Sequence, residues 1–210
     1  MQLQVALDCP LDPALSLLAR LGSAVDRAEL GTPLLLREGL HAARIIREKF
    51  RALPMTADAK IMDAGELEAG LAFQSGCDIV TALAAASDQT IAGAVRAAQR
   101  HSARIMADMI AVPDPVGRAH RLWELGVHLV CVHTAFDVQS EKNTPLAALS
   151  AMRSAFPDRP IAVAGGIGLA TLGPVLMLRP EIIIVGGTIL NAADPLAVAR
   201  ELKARITHHG

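Results

Sequence analysis

Residues 55–82 read MTADAKIMDAGELEAGLAFQSGCDIVTA. A short aliphatic run at 55–59 is followed by a helical stretch at 66–75, then Gly76, then a second apolar run at 79–82. Gly76 stands where a chain leaving a helix needs a left-handed residue. The segment therefore predicts one strand–helix–strand unit, the connection that joins parallel strands. Asp58, Lys60 and Asp63 interrupt this otherwise small, apolar stretch. In a buried strand such groups must pair or face a cavity.

The same alternation runs outward in both directions. Strands are expected at 3–7, 28–31, 55–59, 79–82, 104–109, 129–133, 161–164 and 182–185. Helices are expected at 11–21, 38–50, 66–75, 88–100, 115–125, 145–156, 171–178 and 195–206. Pro115, Pro145 and Pro195 suit a first helical turn, where a missing N–H costs nothing, and Asp114, Thr144 and Asp194 precede them as N-caps. Gly126, like Gly76, follows a helix. The strands are mostly continuous apolar runs, which suits a parallel sheet covered by helices. Units of about 26 residues in a 210-residue chain predict a compact single-domain (β/α)8 TIM barrel spanning residues 1–210. The alternative is an open doubly wound sheet, but the first strand ends in ALDCP and lacks the glycine-rich turn usual there.

Composition narrows the function. Aromatic residues are only 2% of the chain, so the core is aliphatic and base-stacking platforms are not expected. A formal net charge of −1 offers no electrostatic footprint for nucleic acid or an anionic membrane. No apolar run approaches the ~20 residues of a membrane helix. The start, MQLQVALD, does not read as a secretory signal. Cys9, Cys77 and Cys131 lie far apart without metal or redox spacing, as expected of free thiols in the cytoplasm.

Barrel enzymes place catalytic groups at the C-terminal ends of their strands. Here Asp8, Glu29, Asp58, Lys60, Asp108 and His133 fall at or near such ends, and Asp63 falls in the loop after the third strand. Each also has a plainer reading: Asp63 as a helix cap, His133 as a hydrogen-bonded core residue. Gly165-Gly166 and Gly186-Gly187 follow strands seven and eight, where barrels often bind phosphate through backbone N–H groups. Tight turns are the plainer reading there. Glu29 and Asp58, on neighbouring strands, suit Mg²⁺; Lys60 suits an oxyanion; His133 suits proton transfer near neutral pH. Jointly they favour chemistry through an enediolate. A Schiff-base role for Lys60 is disfavoured, because acidic neighbours raise a lysine's pKa. A catalytically silent phosphosugar-binding barrel is a further alternative.

The segments LQVALD, AELGTPLLLREG, ADAKIMDAG, ADMIAV, VCVHTAFDVQ, IAVAGGI and IIIVGGTILNAADP cover nearly the whole chain. They resemble the 3-hexulose-6-phosphate synthases of the orotidine monophosphate decarboxylase-like suprafamily, which also holds the 3-keto-L-gulonate-6-phosphate decarboxylases. The D-x-K-x-x-D pattern at Asp58, Lys60 and Asp63 is the shared signature. The resemblance implies a reversible Mg²⁺-dependent aldol reaction. D-ribulose 5-phosphate would lose a C1 proton, and the enediolate would add to formaldehyde to give D-arabino-hex-3-ulose 6-phosphate. It implies Glu29 and Asp58 as metal ligands, Lys60 with Asp8 beside the enediolate, and His133 as the proton-transfer residue. Gly165, Gly166, Gly186 and Gly187 would hold phosphate. It also implies a homodimer in which Asp63 reaches the neighbour's site. The related decarboxylases typically carry an arginine three residues after the histidine and another after strand eight; Phe136 and Gly187 stand here. Ala135-Phe136 stand where synthases more often show Gly-Tyr or Gly-Thr, and Ala111 where a polar residue is more usual.

Overall fold

Aliphatic runs spaced through the chain become strands β1 (Gln2–Leu7), β2 (Arg27–Leu30), β3 (Met55–Ile61), β4 (Ile79–Leu83), β5 (Arg104–Asp108), β6 (Leu129–His133), β7 (Ile161–Ala164) and β8 (Ile182–Val185). In the computed structural model, which describes residues 1–140 and 143–209, they pair in parallel in chain order. β1 also pairs with β8, with Val5 opposite Val185, so the sheet closes into a barrel. The open-sheet alternative is thereby excluded.

Helices α1 (Leu11–Leu21), α2 (Thr32–Glu38), α3 (His41–Lys49), α4 (Gly65–Gln74) and α5 (Asp88–His101) cover the first half. The second half carries α6 (Pro115–Glu124), α7 (Leu146–Ala155), α8 (Leu172–Met177), α9 (Gly187–Leu190) and α10 (Pro195–His208). Asp114 and Asp194 cap α6 and α10 by accepting from Gly117 N–H at 2.9 Å and Leu196 N–H at 3.1 Å. Among the described residues, no helix is long and apolar enough to cross a membrane.

Four expectations need correction. The helix expected at 38–50 is the shorter α3, and a separate helix not expected from the sequence, α2, precedes it and ends at Gly39 with φ +60°. α7 is capped by Pro145 rather than Thr144. α9, a single short turn after β8, was not anticipated. β3 runs two residues past its expected end, through Lys60 to Ile61.

Strand alternation divides the apolar residues into two cores. Leu3, Val5, Leu7, Ala57, Ile61 and their counterparts pack outward against the helices. Ala6, Ile79, Met106, Leu129, Cys131, Ala162, Ala164, Ile182 and Ile184 fill the barrel interior. That interior is lopsided. β1, β2 and β3 contribute buried Gln4, Arg27, Glu29 and Thr56 in place of aliphatic side chains. Buried polar groups are costly unless hydrogen-bonded. Gln4 meets that need: its amide donates to Glu29 Oε2, while its Oε1 accepts from Thr56 Oγ1 at 2.9 Å and Arg27 Nε at 3.3 Å. This polar column supports the site from below.

Candidate active site

One cavity at the C-terminal mouth of the barrel gathers nearly all the residues singled out in the sequence. Asp8, Glu29, Asp58, Lys60, Asp108 and His133 line it, together with Gly165, Gly166, Gly186 and Gly187. Asp63 does not. It is exposed, and its Oδ1 accepts the N–H of the next residue, Ala64, at 2.7 Å. It does not cap α4, whose N-cap residue is Ala64 without a side-chain bond. The capping reading of Asp63 therefore falls.

The charged groups form a chain. Lys60 Nζ donates to Asp58 at 2.8 and 2.9 Å and to Asp108 Oδ2 at 3.1 Å. Burial works against the ammonium, yet Asp58 and Asp108 hold Lys60 above the ordinary lysine range. It stays charged at neutral pH, which opposes a Schiff-base role. Asp108 is buried, which raises a carboxyl's pKa, but the His133 hydrogen bond and charge, Lys60 and the Ile110 N–H together hold it below the usual range. His133 Nδ1 lies 2.9 Å from Asp108 Oδ2. An ionised carboxylate only accepts, so Nδ1 carries the proton and Nε2 is the basic nitrogen.

Sequence reading missed two hydroxyls in this network. Thr32, at the start of α2, donates to the Asp58 carbonyl at 2.7 Å, with Asp58 Oδ2 at 3.0 Å. Thr81, inside β4, donates to Asp58 Oδ1 at 2.9 Å. A threonine in a strand or at a helix start is ordinary, so composition carries no signal for either.

Two acids have no cation of their own. Glu29 is held well above the usual carboxylate range by burial and by the charge of Asp58. Asp8 is raised for the same reasons. Four carboxylates thus face one lysine, itself paired to two of them. Among the described residues no group of three or more side chains is spaced to hold a metal ion. Glu29 and Asp58 are hard oxygen donors lining one cavity, the residues that would hold a divalent cation if one binds here, with its remaining positions left to water or ligand oxygens.

The opposite wall is made of backbone. Gly165 and Gly166 have φ +98° and +66°. A Cβ at Gly165 would collide with the Thr134 carbonyl, so both conformation and space require glycine there. Gly186 and Gly187 have negative φ; a Cβ on Gly186 would meet Asp8 Oδ2 at an ordinary 3.4 Å. The two pairs are therefore not equivalent. Among the described residues, no acceptor takes the N–H of any of the four. Gln139 leans over Gly166 and donates to the Thr134 carbonyl at 2.9 Å, a contact the sequence did not disclose.

A family model described as orotidine 5′-phosphate decarboxylase / HUMPS family matches residues 1–202. The chain belongs to this family. Within it, a Bacillus subtilis protein named 3-hexulose-6-phosphate synthase is 41% identical over 207 residues, covering 98% of this chain and 99% of its own length. The crystal structure of 3-hexulose-6-phosphate synthase from Salmonella typhimurium superposes with a TM-score of 0.97 at 38% identity, covering 100% of both chains. A crystal structure described as KGPDC from Streptococcus mutans gives a TM-score of 0.90 at 25% identity, over 99% of this chain and 97% of its own. The resemblance read from the sequence segments agrees with these matches.

Proposed function

We propose that this chain is a Mg²⁺-dependent aldolase, a lyase of the 3-hexulose-6-phosphate synthase type, joining formaldehyde to D-ribulose 5-phosphate reversibly. One observation carries the reading: the Asp58–Lys60–Asp108–His133 chain lines the same cavity as four glycines whose N–H groups bond to no acceptor among the described residues. The glycine wall receives the phosphate, which orients the sugar's C1 and C2 toward the acids and Lys60. Glu29 and Asp58 would hold Mg²⁺, whose chemistry when bound would be Lewis-acid polarisation of substrate oxygens. His133 Nε2 removes a C1 proton, and Asp108 fixes the ring and steadies the imidazolium. Lys60 stabilises the negative charge on the C2 oxygen of the enediolate. The C1 carbanion attacks formaldehyde, forming one C–C bond. The new alkoxide then takes that proton back from His133 Nε2, which restores the neutral imidazole and gives D-arabino-hex-3-ulose 6-phosphate.

Decarboxylation of 3-keto-L-gulonate 6-phosphate is the competing reading. Lys60 is the only lysine or arginine that lines the cavity among the described residues, and it is committed to two aspartates. A substrate carboxylate would find no second cation, which favours the aldol reaction. Side-by-side assays decide. Formaldehyde-dependent loss of ribulose 5-phosphate should exceed carbon dioxide release, and EDTA should abolish it; a faster decarboxylation would reverse the assignment.

The active form is proposed to be a homodimer with shared sites, in the cytoplasm, where the unbridged Cys9, Cys77 and Cys131 stay reduced. Asp63 is turned out of its own cavity, and Met62, Leu67 and Leu71 near it in sequence are exposed apolar side chains suited to a partner surface. Mixing inactive Lys60→Ala and Asp63→Asn chains tests this. If Asp63 acts across the interface, each mixed dimer regains one intact site. If it acts within its own chain, mixing restores nothing.

A further inference from the structure

Lys60 has φ +47°, a left-handed conformation that non-glycine residues adopt only when their surroundings hold them there. The cause lies across the sheet. Ala57 pairs with Val80 and Ile61 with Ala82, so four steps along β3 stand against two along β4. The surplus is a bulge, and Lys60 is inside it. Thr81 stands opposite. Its Oγ1 accepts the Lys60 N–H at 2.9 Å and donates to Asp58 Oδ1 at 2.9 Å. The hydroxyl is thus used twice, once on the backbone of Lys60 and once on the carboxylate that pairs with Lys60 Nζ. Thr81 is buried at an interior strand position, where an aliphatic side chain would fill space without a polar atom to satisfy.

We infer that Thr81 is a positioning residue whose hydroxyl pins the β3 bulge and so aims Lys60 at Asp58 and Asp108. It touches no reacting atom in this account. The inference rests on the function proposed above for its kinetic part only, since the backbone geometry stands without it.

The test uses Thr81→Val, Thr81→Ala and Thr81→Ser in the full chain. Val and Ala should lower kcat for formaldehyde addition by about 30-fold or more, the scale expected when a catalytic group is misplaced. KM for ribulose 5-phosphate should stay within about threefold, because the glycine wall is untouched. Ser keeps both hydrogen bonds and should restore kcat to within about threefold of wild type. A crystal structure of Thr81→Ala should show Lys60 out of the left-handed region and its Nζ detached from Asp108. Lys60 unmoved in that structure, wild-type kcat in Val or Ala, or Ser as impaired as Ala would each overturn the inference. If Val does not fold, Ala and Ser decide. If wild type turns over neither candidate sugar, the proposed function fails, and the crystallographic comparison still decides the role of Thr81.

Discussion

The cavity has two walls of opposite character. β1, β2, β3, β5 and β6 supply Asp8, Glu29, Asp58, Lys60, Asp108 and His133; β7 and β8 supply only small, apolar or hydroxyl residues and four glycines with unspent N–H groups. On the proposed function, a phosphorylated ligand would be repelled by the acids and accepted by the amides, so the contrast would set its direction. In that reading the wall that binds is neutral backbone, and the wall that reacts is charged. Binding energy would then be gained away from the reacting carbons, where it orients the substrate without holding the ground state at the chemical end.

Substitutions can break this division, and the charged wall should respond most. Lys60→Ala should lower kcat about 10²–10³-fold, the usual loss for an oxyanion donor, with KM for the sugar phosphate nearly unchanged in steady-state assays. Asp108→Asn should cost about 3 kcal/mol of stability at neutral pH by removing a buried partner of Lys60 and His133. The folded pKa of Asp108 is depressed, so its contribution is present above the ordinary carboxylate pKa and lost as pH falls through the folded value. Denaturation across pH should show the gap between wild type and variant closing in acid.

The glycine wall should respond through KM. Gly165→Ala forces a side chain into φ +98° and against Thr134, costing about 1–3 kcal/mol and raising KM about tenfold. Gly186→Ala meets only ordinary contacts and should shift KM less than about threefold. Equal effects at both positions would contradict the difference seen between the two pairs. The smallest change is also the most pointed. Glu29→Gln removes a buried carboxyl whose ionisation burial and Asp58 disfavour, so it should gain about 1 kcal/mol in denaturant melts at neutral pH without metal while abolishing stabilisation by Mg²⁺.

Much of this was legible before any coordinates. Continuous aliphatic runs marked the strands, and charged residues at their ends marked the mouth, because both follow from burial in a parallel barrel. Asp58 and Lys60, placed at the end of the third strand, do meet in the cavity at the mouth. The bulge that actually shapes Lys60 was not legible, because it depends on Thr81, 21 residues away in sequence. Gln4, Thr32 and Thr81 were missed for one reason: a single amide or hydroxyl on a strand or helix start has no pattern, only a partner. α9 is shorter than a helical repeat can reveal, and the α2–α3 break turns on the conformation of Gly39. Asp63 was read correctly as lying outside the strand, and its exposure leaves the interface test to decide its role.

The central claim is that the charged wall generates a C1 carbanion from ribulose 5-phosphate. Proton NMR in D₂O, with Mg²⁺ and without formaldehyde, tests it directly. The account predicts loss of a C1 proton signal that EDTA or Lys60→Ala abolishes. Aldol turnover without any C1 exchange, or exchange undiminished in EDTA, would contradict it.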